Sequence, residues 1–199
     1  MKKYLFFVFV LVFFSCNRDS RQEGPAFGID ISQYNGDIDW VKVVAQTKTK
    51  EPIEFVIIRA TVGVDKDTNY ARNYAEAKRN GFIVGSYHYY RPNENSTMQF
   101  ENFKKVLKLE NGDILPVVDI EAYSSVQSME SLKQGLRNFI SLCEREYGVK
   151  PIIYTGLSMW DTYLKDDFGD CKLWVSAYSL SLSSRKRDCE KCGHSPVYK

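Results

Sequence analysis

The sequence contains little histidine and almost no net charge, and both shortages narrow what the protein can do. Two of its 199 residues are histidine, and 27 Lys and Arg against 25 Asp and Glu leave a formal net charge of +2. So balanced a charge gives no reason to expect a nucleic-acid partner. With so few histidines beside its acids, a metal-dependent enzyme is disfavoured. The composition, 44% hydrophobic and 26% charged, is ordinary for one globular domain.

Long apolar runs are also scarce, and the one that exists lies at the N terminus. Residues 4–14 are apolar throughout, too few to span a bilayer, and they follow Lys2 and Lys3. The run ends at Ser15-Cys16, an arrangement that resembles a bacterial lipoprotein signal. It implies cleavage before Cys16 and a lipid on its thiol; a plain secretory signal is the alternative. We therefore expect a signal over residues 1–16, a polar tether over 17–25, and an exported, membrane-anchored lipoprotein of the bacterial cell envelope.

The cysteines are too few to define a disulfide framework. Beyond Cys16 the chain has Cys143, Cys171, Cys189 and Cys192, and export would permit disulfides among them without fixing a pairing. Cys189, Cys192 and His194 together resemble part of a zinc site, but a structural zinc needs four ligands and no convincing fourth is present. We therefore predict no metal.

Strand-like and helix-like segments alternate from residue 27 to residue 179. The strands are near-continuous apolar runs, a pattern typical of an α/β fold with a parallel sheet covered by helices. A closed or nearly closed (β/α) barrel and an open doubly wound sheet both fit. No Gly-x-Gly-x-x-Gly follows the first strand, which disfavours a dinucleotide cofactor. The predicted strands cover residues 27–32, 54–61, 82–90, 114–122, 151–155 and 172–178, and the predicted helices cover 38–46, 68–79, 96–109, 128–147 and 158–164.

Acidic and aromatic residues occur where the predicted strands end. Asp30 ends the first strand, and Asp119 and Glu121 end the fourth. Because side chains alternate along a strand, Asp119 and Glu121 share one face, while Val118 and Ile120 share the other. In a parallel barrel such strand ends meet on the rim that carries the active site.

Two neighbouring carboxyl groups suit the cleavage of a glycosidic bond. Like charges at this spacing are expected to raise the pKa of one of them, giving a proton donor beside an ionised partner. Two alternatives remain open from the residues alone: a divalent-metal site built from Asp30, Asp119 and Glu121, and a pair of solvated loop carboxylates.

Six short blocks, in order, resemble glycoside hydrolase family 25, whose members cleave the β-1,4 bond between N-acetylmuramic acid and N-acetylglucosamine. Each block is a weak signal, but their shared order is strong. They are residues 27–32 (FGIDIS), 55–61 (FVIIRAT), 85–89 (GSYHY), 116–121 (PVVDIE), 153–155 (IYT) and 173–178 (LWVSAY).

The resemblance implies an irregular (β/α) barrel, similar to a TIM barrel, with a peptidoglycan groove at the C-terminal ends of its strands. It implies Glu121 as the proton donor to the leaving sugar. It implies Asp119 as the group that orients or stabilises the substrate's N-acetyl group, with net retention, and Asp30 on the groove floor. We expect a monomer that needs no cofactor.

Four aromatic residues match positions that line the family's site. Tyr87 and Tyr154 match lining positions, while Trp174 and Tyr178 match an aromatic wall suited to stacking on a sugar. Core packing is an equally good interpretation of Trp174.

Two other polar residues on the predicted strands are interpreted as structural. His88 points away from Tyr87 and Tyr89 by alternation, so we expect a packed, hydrogen-bonded histidine. Arg59 is expected to pair with a carboxylate.

The chain departs from the family pattern after Tyr178. The family continues with a Trp-Gln-Tyr-type strand and an Asp-x-Asn element, and residues 180–199 contain neither. This basic stretch lacks strand periodicity and is interpreted as a truncated or divergent tail. The barrel is then incomplete at its C terminus, with unpaired edges on the first and sixth predicted strands. A non-catalytic peptidoglycan-binding lipoprotein is therefore the alternative function.

Overall fold

The computed structural model describes residues 26–50 and 52–176 and the backbone of residues 197–198. Several sequence predictions lie outside these residues and stay predictions. They are the signal over 1–16 with its lipid on Cys16, the tether over 17–25, the groove position of Tyr178, and the state of Cys189, Cys192 and His194.

The described strands form one curled sheet that is parallel except for one short strand. The strand order is β1-β2-β4-β5-β6-β7-β8, and β3 pairs antiparallel with β2. Within the described residues β1 and β8 stand at opposite ends of this order, so the sheet is an open half-barrel and the predicted incomplete barrel is confirmed. The strands are β1 Phe27–Ile31, β2 Ile53–Val62, β3 Asp65–Lys66, β4 Ile83–Tyr89, β5 Val117–Asp119, β6 Ile152–Gly156, β7 Leu173–Ser176 and β8 Val197–Tyr198.

Helices connect the parallel strands, and side chains cap three of them. The side-chain oxygens of Asp39, Asn95 and Ser128 each accept a backbone N–H in the first turn of α1, α3 and α4, respectively. Such an N–H has no partner within its own helix. Gly148 ends α4 in the left-handed region, at φ 72°. The helices are α1 Trp40–Ala45, α2 Tyr70–Arg79, α3 Ser96–Val106, α4 Met129–Tyr147, α5 Leu157–Met159 and α6 Lys165–Phe168, and a π-helical turn, Trp160–Leu164, joins the last two.

The two faces of the sheet bury two separate apolar clusters. The outer face, with Val118 and Ile120, packs against helix side chains such as Phe139 of α4. The inner face holds a smaller cluster that includes Val117 and Trp174. Because neighbouring residues of β5 alternate between these clusters, the strand is fixed in register and its last side chain points to the inner face.

His88 is a packed, hydrogen-bonded residue of the outer core, as predicted. Its Nδ1 lies 2.7 Å from Thr61 Oγ1, and its Nε2 lies 3.1 Å from Gln99 Oε1. Its ring stacks on Phe139 with the centroids 4.8 Å apart. Burial disfavours the charged ring and lowers the pKa of His88 to about 3.

This buried imidazole predicts sensitivity to mild acid. Below the ordinary histidine pKa of 6.5 the unfolded chain binds a proton at His88 that the native protein does not bind. The folding equilibrium constant should therefore fall by about tenfold per pH unit towards pH 3 through this residue alone, and should not change through it above pH 7. Urea unfolding between pH 7 and pH 5 measures the slope. His88→Gln should flatten it, and an unchanged slope in that variant would contradict the assignment.

The structure corrects the sequence predictions in three places. The fourth predicted strand, residues 114–122, is hydrogen-bonded only over Val117–Asp119, so Glu121 follows β5 instead of belonging to it. Val197–Tyr198 pairs with β7, so residues 180–199 do include a short strand and the edge of the sixth predicted strand is partly covered. The short strand β3 had no sequence signal.

No helix within the described residues is both long and apolar enough to cross a membrane.

Candidate active site

A groove of about 460 Å³ lies at the C-terminal ends of the parallel strands. It contains six of the seven residues predicted for the catalytic and sugar-binding site. Its full lining is Asp30, Ser32, Tyr34, Arg59, Val62, Tyr87, Tyr89, Arg91, Val117, Asp119, Glu121, Tyr154 and Trp174.

The three acids reach the groove from two strands. Asp30 is the fourth residue of β1 and is half-buried. Asp119 is the last residue of β5 and is only 6% exposed, whereas Glu121, two residues further, is exposed. The pair therefore combines one carboxyl group held in the protein with another open to solvent.

Backbone contacts on both sides fix the segment that carries the acidic pair. The N–H of Tyr90 donates to the carbonyl of Asp119 at 2.8 Å, and the N–H of Ile120 donates to the carbonyl of Tyr154 at 2.9 Å. Thr155 Oγ1 donates to the carbonyl of Ile120 at 2.6 Å. The chain is thus hydrogen-bonded to the segments on both sides as far as Ile120, one residue past the end of β5. Glu121 is the next residue and is exposed.

Two tyrosines on β4 face the acids. Burial, followed by the negative charge of Asp119, raises the pKa of Tyr87, and the same two causes raise the pKa of Tyr89. Both hydroxyls therefore keep their protons at neutral pH and can donate hydrogen bonds to a ligand in the groove.

Tyr154 and Trp174 pack against each other in the lining of the groove. They are each 5% exposed, and their ring centroids lie 4.5 Å apart. Most of the Trp174 ring is thus packed in the inner cluster, as the core-packing interpretation describes. Only the small part that stays exposed in the groove can contact a sugar.

Arg59 of β2, which lines the groove, belongs to a buried ion pair. Arg59 Nε donates to Asp67 Oδ2 at 2.9 Å, with the two side chains 6% and 0% exposed. Asp67 also accepts the backbone N–H groups of Gln33 and Asn69. The ring of Tyr34 lies over the Arg59 guanidinium, 4.6 Å from centroid to carbon. The predicted carboxylate partner of Arg59 is therefore Asp67.

Breaking this ion pair should destabilise the fold strongly. Asp67→Asn leaves the Arg59 cation buried without its counter-charge, and we expect it to lower the free energy of unfolding by about 3–5 kcal/mol. Urea denaturation measures the loss. The double variant Arg59→Met with Asp67→Asn should recover much of it, whereas a loss below about 1 kcal/mol in the single variant would contradict the role of the pair.

The sequence did not assign seven of the lining residues to the site: Ser32, Tyr34, Arg59, Val62, Tyr89, Arg91 and Val117. Tyr34 follows β1 on a short 3₁₀ turn, Val62 is the last residue of β2, and Tyr89 follows His88 on β4. Arg91 is held at the rim by Asp65 and Glu94, 3.2 and 2.9 Å away. The arginine comes from a loop and its partners from separate segments, so no periodic pattern marks it.

The described residues contain no group of three or more His, Cys, Asp or Glu side chains placed to hold a metal ion. Asp30, Asp119 and Glu121 share the groove without forming such a group, so the metal-site interpretation gains no support.

Cys143 and Cys171 are buried free thiols.

Comparison with known proteins adds an independent result. The model of glycosyl hydrolases family 25 matches residues 29–194, a range that runs past the boundary predicted at residue 179. YegX of Escherichia coli (strain K12) is 30% identical over 152 residues, which cover 76% of this chain and 56% of YegX. Lysozyme M1 of Streptomyces globisporus is 32% identical over 159 residues, which cover 72% of this chain and 52% of that protein. The chain thus matches about half the length of these curated relatives.

A solved structure supports the same grouping. The structure of a family 25 glycosyl hydrolase from Bacillus anthracis superimposes with a TM-score of 0.70 at 28% identity, covering 77% of this chain and 71% of that one.

Proposed function

The chain belongs to the glycosyl hydrolases of family 25, and we propose that it hydrolyses the β-1,4 bond between N-acetylmuramic acid and N-acetylglucosamine in bacterial peptidoglycan. The observation that carries the proposal is the convergence of Asp30, Asp119 and Glu121 on one groove at the C-terminal ends of β1 and β5. A groove of this size suits a small segment of a glycan.

Glu121 is the proton donor in this proposal. Its exposed carboxyl group can reach the glycosidic oxygen of a sugar in the groove, and protonation allows the bond from that oxygen to the anomeric carbon to break. The substrate's N-acetyl oxygen then attacks the anomeric carbon and closes a five-membered ring. Water opens this ring with net retention and gives its proton back to Glu121.

Asp119 assists the same bond cleavage through its negative charge. Its buried carboxylate faces the groove, where it orients the N-acetyl group and stabilises the positive charge that develops as the bond breaks. Asp30, half-buried on the floor, contributes a second negative charge to the same site.

The direct test uses the protein without residues 1–16 and purified peptidoglycan. The proposal expects release of soluble fragments with new reducing ends, in the presence of EDTA as well as without it. Binding to the polymer without release would instead support a non-catalytic glycan-binding protein, and loss of activity on adding EDTA would favour a metal-dependent hydrolase.

The site of action is the second part of the proposal. The signal-like residues 1–16 and Cys16 favour an exported protein held on a membrane by a lipid. Cells expressing the full chain should incorporate labelled palmitate into it, and Cys16→Ser should abolish the labelling. Equal labelling of the variant would rule out this anchor.

A further inference from the structure

Two exposed tyrosines contact each other beside the groove. Tyr123 and Tyr163 are 55% and 38% exposed, and their rings meet edge to face with centroids 5.9 Å apart. Such a contact covers one face of only one ring, so the pair presents open aromatic surface to solvent. Adjacent exposed aromatics of this kind mark binding surfaces more often than isolated apolar residues do.

The pair lies on the same rim as the acids. Tyr123 follows Glu121 by two residues, in the loop after β5, and Tyr163 belongs to the π-helical turn after β6. Because β5 and β6 are adjacent and parallel, with Asp119 opposite Tyr154, both segments leave the sheet at the groove end. Single π-helical turns occur frequently at functional sites.

Both supporting segments are anchored, so the rings are held before any ligand binds. Ser124 Oγ donates to Asn93 Oδ1 at 2.6 Å and accepts the N–H groups of Val126 and Gln127 at 3.1 and 2.6 Å. The π-helical turn is fixed by its other side chains, because Trp160 and Leu164 are buried in the core. A preorganised surface of this kind loses little entropy on binding.

The chemistry of the surface favours a neutral sugar over the peptide of peptidoglycan. A tyrosine ring can stack on the C–H face of a pyranose while its hydroxyl bonds to the sugar's hydroxyl groups. Asp161, on the same turn as Tyr163, is exposed and would repel the carboxylates of a stem peptide.

We propose that Tyr123 and Tyr163 form an outer saccharide subsite, which binds a further pyranose of the same glycan strand next to the pair of units that flank the scissile bond. The inference rests on the proposed function, since it assumes that the groove holds that strand. It makes the protein selective for long strands over short oligosaccharides.

The test compares two substrates, long glycan strands and the disaccharide of N-acetylmuramic acid β-1,4-linked to N-acetylglucosamine, which fills only the two positions that flank the scissile bond. Replacing both tyrosines by alanine should lower kcat/KM on long strands by about three- to tenfold, the range expected for lost aromatic contacts, and leave kcat/KM on the disaccharide unchanged. Tyr123→Phe and Tyr163→Phe keep the rings and should retain most of the activity on long strands. Val126→Ala, on the same loop and 78% exposed, is the matched control.

An equal fall on both substrates, or no fall on either, would overturn the subsite. If the wild-type protein cleaves neither substrate, the proposed function fails. The subsite is then tested separately, by measuring how tightly the protein binds the same two glycans. Calorimetry with the same two ligands should then show weaker binding of long strands alone in the double alanine variant. Length-independent weakening, or no wild-type binding of long strands, would overturn it.

Discussion

Replacing Glu121 with glutamine should lower the release of reducing ends from peptidoglycan by about 10²–10⁴-fold, the range associated with loss of a general acid. Glutamine has the shape of glutamic acid but no carboxyl proton to give to the leaving oxygen. Because Glu121 is exposed, the substitution should leave the free energy of unfolding almost unchanged. A discontinuous assay of reducing ends measures the loss.

The matched control for this variant is Glu101→Gln. Glu101 is exposed on α3, and its substitution removes the same charge away from the groove. The activity of this variant should therefore equal that of the wild type. Glu121→Gln should still sediment with insoluble peptidoglycan. Clearing of the polymer by Glu121→Gln at the wild-type rate would remove this residue from the mechanism.

Replacing Asp119 with asparagine should produce the second large loss, about 10²–10³-fold in kcat. Asparagine fits the same buried position at the end of β5 but carries no negative charge to stabilise the positive charge of the transition state. The effect should appear in kcat rather than in KM, because the charge it stabilises develops only as the bond breaks.

The stability of the same variant provides its control. Removing a charge from a site that is 6% exposed should not unfold the protein, since the neutral amide is less costly to bury. The melting temperature of Asp119→Asn should therefore equal or exceed that of the wild type. A raised KM with unchanged kcat would restrict Asp119 to substrate binding.

The regular elements of the fold could be predicted because their signals are local. The longest predicted helix, residues 128–147, is found as Met129–Tyr147, since Ser128 caps its start and Gly148 ends it. The π-helical turn depends on the burial of Trp160 and Leu164 in tertiary contacts, which no local pattern encodes. The length of β5 depends likewise on where its neighbours stop hydrogen bonding.

The acids of the site could be predicted for a similar reason. Asp119 and Glu121 are two residues apart at the end of an apolar run, and strand alternation predicts that they share one face. Both line the groove, although the hydrogen-bonded strand β5 ends at Asp119. The partner of Arg59 could not be identified, because Asp67 reaches it only after the chain turns back through β3. The contact between Tyr123 and Tyr163 joins two different loops and is visible only in the folded chain.

The chemical identity of the new chain ends tests the central claim most directly. Peptidoglycan digested by the protein is reduced with borohydride and hydrolysed in acid, and the resulting amino-sugar alcohols are identified. Cleavage of the bond from the anomeric carbon of N-acetylmuramic acid to N-acetylglucosamine predicts muramitol, formed by the wild-type protein and absent with Glu121→Gln. Glucosaminitol in its place, or no new alcohol at all, would contradict the account.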